Sequence, residues 1–140
     1  METVHATRNT QQVKVSVLGT GSLGKEHARI YAELAAAGQV EFAGVYDTVA
    51  ETTQRFAQKH GVRAFASLAE AAAASDAVSI VTPTTTHYDL AKLLLQQGRH
   101  VLVEKPMTDN AAQAAELCQI AQQKACVLLV GHVERFNPVF

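Results

Sequence analysis

Apolar positions along the chain fall into two alternating patterns, short β-branched runs and longer segments with helical spacing. The first run, residues 13–18 (VKVSVL), suits a strand packed on both faces because its valines favour a buried, pleated environment. Residues 25–37 then carry apolar side chains at helical spacing, and Gly38 is placed to end that helix. The same alternation recurs and predicts further strands at residues 40–46, 62–65, 77–81, 101–103 and 126–130 and further helices at 49–60, 68–74, 87–97 and 110–124.

Strands and helices in strict alternation predict an α/β fold with a doubly wound, parallel, six-stranded sheet in a single domain. Such a sheet has helices on both faces and right-handed crossover connections. Ligands bind at the carboxyl ends of its strands. The polar segments at those ends are therefore the candidate site, namely residues 19–24, Asp47, 82–87, 104–106 and 131–132.

Three glycines follow the first strand at the spacing of a dinucleotide-binding loop, Gly19-x-Gly21-x-x-Gly24. Gly19 allows the tight turn, Gly21 lets the backbone approach a pyrophosphate, and Gly24 lets the next helix pack closely on the strand. The unpaired N–H groups at the start of that helix attract phosphate. Three glycines alone are a weak signal, and the strand before and the helix after them strengthen it.

Asp47 ends the second predicted strand, 23 positions past Gly24. A dinucleotide-binding fold places the carboxylate that binds the adenosine ribose at about 20 residues past the loop. Strand, glycine loop, helix and acid together predict a Rossmann domain. Because Thr48 rather than an arginine follows the acid, we predict NAD over NADP as the cofactor. The alternative is that Asp47 only begins a turn or caps the next helix.

Lys105 and His87 are ambiguous on their own. Lys105 stands at a predicted strand end between an acid and Pro106, and most such lysines are simply solvated. A cis X-Pro bond, which is far more accessible than other cis bonds, would turn Lys105 into the site. His87 begins a predicted helix, where it could equally be an exposed residue near the helix cap.

Composition excludes several classes of function. The chain has 140 residues, 48% hydrophobic and 18% charged, with a net charge of −1. This indicates one globular domain and gives no electrostatic case for binding nucleic acid or a membrane surface. Cys118 and Cys126 are not spaced as zinc ligands, so we predict no metal site and two buried, reduced thiols. With no long apolar run, the chain is predicted to be cytoplasmic, and residues 1–12, which are polar and aperiodic, a disordered leader.

Two other enzyme classes share part of these patterns. Tyr88-x-x-x-Lys92 matches the Tyr–Lys pair of short-chain dehydrogenases, but the glycine loop lacks their form, so we predict an ordinary i, i+4 helix pair. A methyltransferase uses a similar glycine loop for another adenosine cofactor. It would have no use for the segment at residues 104–106.

The motifs taken together resemble the nucleotide-binding domain of the glucose-fructose oxidoreductase / inositol dehydrogenase / MocA (Gfo/Idh/MocA) family. The resemblance covers residues 13–138 and is most specific in Glu104-Lys105-Pro106, preceded by a Thr-Pro loop. His27 also belongs to the matching pattern, although nothing in the sequence assigns it a role. The closing GHVERFNP resembles the subset acting on nucleotide sugars, such as UDP-N-acetylglucosamine 3-dehydrogenases.

The resemblance implies a set of site residues. Lys105 is implied to be catalytic, reaching both substrate and nicotinamide. The cofactor-binding residues that it implies, with the glycine loop and acid already derived, are Gly19, Thr20, Gly21, Ser22, Leu23, Gly24, Asp47, Thr82, Pro83, His87, Glu104 and Lys105.

The resemblance also implies the reaction and what surrounds it. Members oxidise a ring hydroxyl of a sugar or nucleotide sugar by hydride transfer to nicotinamide. Their second domain supplies most substrate contacts, the oligomer interface and the usual proton acceptor. Because the chain stops at Phe140, about where that domain would begin, we expect an NAD-binding domain that is inactive alone. The alternative is a non-catalytic nucleotide-binding module, or one that self-associates through the surface the second domain would cover.

Overall fold

A computed structural model describes residues 11–131 of the chain. The predicted leader lies almost wholly outside these residues, as do His132 and the rest of the GHVERFNP segment. The strands are β1 (Val13–Leu18), β2 (Val40–Tyr46), β3 (Arg63–Ala64), β4 (Ala77–Ile80), β5 (His100–Glu104) and β6 (Leu128–Gly131). The helices are α1 (Ser22–Ala36), α2 (Ala50–His60), α3 (Leu68–Ala73), α4 (His87–Gln96) and α5 (Ala111–Gln123), with one 3-10 turn at Thr84–Thr86.

The sheet is parallel throughout, with strand order β3-β2-β1-β4-β5-β6. This confirms the predicted doubly wound, six-stranded fold. The order reverses between β1 and β4, and such a reversal opens a crevice at the carboxyl ends of the two strands. The candidate loops named above lie at that end of the sheet.

Two buried clusters cover the two faces of the sheet. Successive side chains of a strand point to opposite faces, so β1 contributes to both clusters. Val15 and Val17 pack with α1 and α2, whereas Leu18 packs with α3, α4 and α5. The second cluster is the larger and includes the fully buried Leu94 and Leu117. This two-sided burial explains why the strands are continuous apolar runs.

The ends of the elements differ from the predicted ones where local hydrogen bonding decides them. Helix α1 ends close to its predicted position, with Gly38 in the left-handed region at φ +74°. It begins earlier, at Ser22, so that Gly24 lies in its first turn. Strand β6 begins two residues later than predicted because the N–H of Cys126 still donates to the carbonyl of Ala121 at 2.9 Å, which closes the end of α5.

The predicted burial of both cysteines is wrong. Cys118 is exposed and Cys126 is half-buried. Cys118 directly follows Leu117, which takes the core-facing position on α5, so the helical turn carries Cys118 to the outer side.

Within residues 11–131, no helix is long and apolar enough to cross a membrane. The same residues hold no group of three or more His, Cys, Asp or Glu side chains arranged to bind a metal ion.

Candidate functional site

Two positions of the loop require glycine because a side chain there would collide with nearby backbone atoms. Gly19 has φ +106°, and a Cβ there would lie 2.2 Å from the carbonyl oxygen of Val81. A Cβ on Gly24 would lie 2.1 Å from the carbonyl oxygen of Gly19. Both distances are far below van der Waals contact, so β1, α1 and the end of β4 can approach this closely only without these side chains.

Gly21 differs because a Cβ there would meet no atom of residues 11–131 within 4 Å. The space beside it is open, as the approach of a ligand to the backbone requires. Gly21 is also the N-cap of α1, and no side chain caps the helix. The first turn, which contains Ser22 and Leu23, therefore offers its backbone N–H groups to an anion.

Asp47 is fastened to the glycine loop. Its Oδ2 accepts hydrogen bonds from the backbone N–H and the hydroxyl of Thr20, both at 2.9 Å. Its Oδ1 lies 3.3 Å from the hydroxyl of Thr48 and from the backbone N of Val49. The N-cap of α2 is Val49, so Asp47 does not cap that helix, although it does bond into the turn before it. Asp47 thus joins the ends of β1 and β2.

Two opposing effects act on the pKa of Asp47. Partial burial raises the pKa, but the hydrogen bonds, led by those from Thr20, outweigh it and hold the pKa below its usual value. Asp47 is therefore ionised at neutral pH. The two bonds to Oδ1 are long, at 3.3 Å, so Oδ1 is the oxygen at which the hydroxyls of a ribose can compete with Thr48 and Val49.

A cleft of about 540 Å³ opens at the crevice between the two halves of the sheet. It is within the size range of small-molecule sites. Most of its wall is apolar, and Asp47 and four threonines supply polar groups. Its lining residues are Leu18, Gly19, Thr20, Gly21, Tyr46, Asp47, Thr48, Leu68, Val81, Thr82, Pro83, Thr86 and Leu90.

The hydroxyls of the Thr82 loop form a directed chain. Thr86 Oγ1 lies 2.6 Å from the carbonyl oxygen of Pro83 and 2.6 Å from Thr82 Oγ1. Because a carbonyl only accepts, Thr86 donates to Pro83, and Thr82 in turn donates to Thr86. The Thr82 oxygen is left as an acceptor on the wall of the cleft.

His87 lies behind this loop and is 1% exposed, so the alternative of an exposed residue near the helix cap is wrong. Its Nδ1 is 2.9 Å from the carbonyl oxygen of Pro106, and its Nε2 is 2.8 Å from that of Thr82. Both partners are carbonyls, and a neutral imidazole has one N–H, so a neutral ring donates to one carbonyl and only contacts the other. The imidazole lies between the loop after β4 and the loop after β5. It does not line the cleft.

Glu104 and Lys105, at the end of β5, have opposite environments. The Glu104 carboxylate is buried and 2.7 Å from Nε2 of His27 on α1. Sequence reasoning missed this contact, and its one signal is the position of His27 one turn after Gly24. Lys105 is exposed, and its peptide bond to Pro106 is cis. Neither Glu104 nor Lys105 lines the cleft, which lies toward the Asp47 side.

Tyr88 and Lys92 form the predicted helix pair. Lys92 Nζ donates to the Tyr88 oxygen at 3.2 Å and pairs with Glu116 of α5 at 2.9 Å. Tyr88 donates to the same carboxylate. The three side chains join α4 to α5 away from the cleft, so the pair is structural.

The glycine loop, the anchored acid and the cleft at the strand reversal define the dinucleotide-binding domain of an oxidoreductase. The chain belongs to the Gfo/Idh/MocA group, described as the oxidoreductase family with an NAD-binding Rossmann fold, whose sequence profile matches residues 13–132. This confirms the resemblance found in the motifs, and it removes the support for a methyltransferase.

Individual relatives agree with this assignment. UDP-N-acetylglucosamine 3-dehydrogenase from Acidithiobacillus ferrooxidans is 40% identical over 126 residues, which cover 90% of this chain and 39% of that enzyme. Its solved structure matches with a TM-score of 0.85 over 91% of this chain and 41% of its own. Inositol 2-dehydrogenase from Rhizobium meliloti is 35% identical over 130 residues, 91% of this chain and 38% of the enzyme. GenD2 from gentamicin A biosynthesis, solved in complex with NAD, matches with a TM-score of 0.80 at 32% identity, over 86% of this chain and 34% of its own.

The chain spans between 34% and 41% of the length of these relatives. The similarity therefore concerns the NAD-binding domain, and activities of the longer proteins are not carried over with it.

Proposed function

We propose that this chain is the cofactor half of a dehydrogenase that oxidises a ring hydroxyl of a sugar or nucleotide sugar with NAD. The observation that carries the proposal is the attachment of Asp47 to Thr20, which presents an ionised carboxylate at the mouth of the 540 Å³ cleft beside the glycine loop. The residues fit the cofactor: the open space at Gly21 and the uncapped start of α1 suit a pyrophosphate, and Asp47 suits a ribose diol.

Each group of residues has a distinct task in this proposal. NAD, when bound, supplies the hydride acceptor. Asp47 holds the adenosine ribose and repels a 2′-phosphate, since no cation adjoins it in sequence. The Thr82 hydroxyl accepts from a donor on the ligand. Lys105, exposed at the end of β5, orients the substrate hydroxyl and favours loss of its proton.

The substrate class is proposed from similarity. A relative at 40% identity is, by its name, a 3-dehydrogenase of UDP-N-acetylglucosamine, and another at 35% is an inositol 2-dehydrogenase. Both names describe oxidation of a ring hydroxyl. We propose the same reaction type for the protein to which this domain contributes.

The domain by itself is proposed to bind NAD but to turn over poorly. The family resemblance assigns the usual proton acceptor and most substrate contacts to a second domain, and without positioning a bound cofactor reacts slowly.

Calorimetric titration of the chain with NAD+, NADP+ and S-adenosylmethionine tests the proposal. We expect NAD+ to bind more tightly than NADP+ and S-adenosylmethionine not to bind. Asp47→Ser should lower the ratio of NAD+ affinity to NADP+ affinity. Thr48→Ser is the matched control and should leave this ratio unchanged. No NAD+ binding to the wild-type chain, or an unchanged ratio in Asp47→Ser, would contradict the proposal.

A self-associating module is the second candidate, and one observation favours it. Strand β6 is an edge of the sheet among residues 11–131. Val127, just before it, and Leu129, within it, are 52% and 57% exposed. Exposed apolar side chains at a sheet edge promote association. Sedimentation velocity over a concentration series distinguishes the two: dimerisation without NAD+ binding supports the module, and NAD+ binding supports the cofactor domain.

A further inference from the structure

One partly buried hydrogen bond joins three segments around the candidate site. His27 lies on α1, one turn past the glycine loop, and its Nε2 is 2.7 Å from Oε1 of Glu104 at the end of β5. The Glu104 carboxylate also abuts Gly131 at the end of β6, where a Cβ would lie 2.8 Å from Oε1. The absence of a side chain at Gly131 thus makes room for this carboxylate.

The chemistry of the pair determines its direction. An ionised carboxylate only accepts hydrogen bonds, so Nε2 of His27 carries the hydrogen. Among residues 11–131, His27 is the one side chain that donates to the Glu104 carboxylate. A buried carboxylate without a donor is costly, so loss of His27 would draw Glu104 and the end of β5 toward water.

The position of the pair relates it to one half of the cofactor. The strand order reverses between β1 and β4, and a dinucleotide lies across that crevice with one nucleotide over each half of the sheet. Asp47 on β2 marks the adenosine half, which leaves β4, β5 and β6 for the nicotinamide half. The pair lies on that second side, directly before Lys105, and links it to the helix whose N-terminus faces the pyrophosphate.

We propose that His27 and Glu104 form a positioning pair. Their hydrogen bond sets the distance between the N-terminus of α1, which faces the pyrophosphate, and Lys105, and it thereby determines where the nicotinamide lies. This inference rests on the proposed NAD-binding function. It assigns neither residue a contact with the cofactor. The adenosine half, anchored by Thr20 and Asp47, is independent of the pair.

Two ligands and three single variants test this pair in the full chain. AMP probes the adenosine half alone, and NADH reports the nicotinamide environment through its fluorescence. His27→Leu should weaken NADH binding about tenfold, the effect of losing one hydrogen bond to a charged group, while AMP affinity stays within about twofold. It should also lower the fluorescence enhancement of NADH at saturation. His27→Gln, whose amide can donate to the same carboxylate, should restore both NADH readouts.

Tyr31→Phe is the matched control. Tyr31 lies on the same helix, and its hydroxyl bonds to Ser79 Oγ on β4 at 2.5 Å. Removing that hydroxyl breaks another contact between α1 and the sheet without touching Glu104, so NADH fluorescence should not change.

A double variant guards against misfolding of the single one. His27→Leu with Glu104→Leu removes both polar partners, which leaves no buried charge without a donor and has a smaller effect on stability. It should show the same loss of NADH fluorescence enhancement. Equal losses of AMP and NADH affinity, or unchanged NADH fluorescence in both Leu variants, would overturn the inference. Failure of the wild-type chain to bind NADH would instead count against the proposed function.

Discussion

The two halves of the sheet hold their strand-end loops by different means. In the β1–β2 half, Asp47 bonded to Thr20 joins the two strand ends, and the glycine loop is packed closely at Gly24 on itself and at Gly19 against Val81 after β4. In the β4–β5–β6 half, they are joined by histidines, with the buried His87 between two loop carbonyls and the half-buried His27 on Glu104. Lys105 is left exposed among these contacts.

This difference bears on how each half can fail. A close glycine contact tolerates no added atom, so a side chain at Gly19 or Gly24 acts through the fold. A hydrogen bond from histidine can be removed with little change in volume, so changes in the second half can loosen a loop while the sheet stays intact. We therefore expect substitutions at the close glycine contacts to lower stability most. Substitutions of the histidines can change cofactor binding with a smaller loss of stability.

The largest effect is expected at Gly24. Gly24→Ala would force a Cβ to 2.1 Å from the Gly19 carbonyl oxygen and should lower the free energy of unfolding by about 3 kcal/mol. Urea denaturation measures this. Gly21→Ala is the matched control: its Cβ has no neighbour within 4 Å in the described part of the chain, so stability should hold while NAD affinity falls about tenfold. Equal stability of the two variants would show that the close contact is not required.

A smaller loss of stability is expected at His87. His87→Leu removes the donor facing the carbonyls of Thr82 and Pro106 and should lower the free energy of unfolding by about 1–2 kcal/mol. The same urea experiment measures it. His87→Gln, which keeps an amide donor, should lose less. If Leu and Gln behave alike, the hydrogen bonds are not what ties these loops together.

Acid pH should lower the stability of the chain through Asp47 in the first half of the sheet, whereas pH changes near neutrality should not. The pKa of Asp47 is lower in the folded chain than its usual value of about 4, so its contribution to stability is present above that pH and is lost as pH falls through the folded-state pKa. Thermal unfolding between pH 3 and pH 7 measures this limb. In Asp47→Asn, the melting temperature should fall less steeply as the pH is lowered. An unchanged pH dependence in Asp47→Asn would contradict the contribution of ionised Asp47 to stability.

The smallest effect is expected at Tyr88. Tyr88→Phe removes the hydroxyl that joins Lys92 and Glu116 between α4 and α5, far from the loops of either half. NAD affinity should stay within about twofold of wild type, as calorimetry can measure. A large loss of affinity would revive the Tyr–Lys pair as part of the site.

The features predicted correctly from the sequence are those with local causes. The alternation of apolar patterns predicts the six-stranded doubly wound sheet because periodicity determines which side chains one element can bury. The spacing of Gly19, Gly21 and Gly24 predicts the loop because the requirement for glycine lies in the backbone itself. The distance to Asp47 follows from the length of one strand–helix–strand unit.

The errors and omissions arise where a distant partner decides. The exposure of Cys118 depends on which face of α5 packs on the sheet, and the pattern of apolar residues on that Ala-rich helix left this open. The end of α5 depends on a hydrogen bond from the N–H of Cys126 to Ala121, and β6 therefore begins two residues later than predicted. The alternative of an exposed His87 is wrong because its ring is buried between two loops that are distant in sequence.

The sequence by itself therefore determined the sheet, the glycine loop, the position of the acid and the family, because periodicity, spacing and short motifs carry that information within a few tens of residues. The tertiary structure alone decided which side chains support the loops. His27 and Glu104 are 77 positions apart, and His87 and Pro106 are 19 apart, so their contacts exist only once the strands are aligned and the helices packed. Through these contacts, two histidines with no distinctive sequence context hold the loops of the site in place.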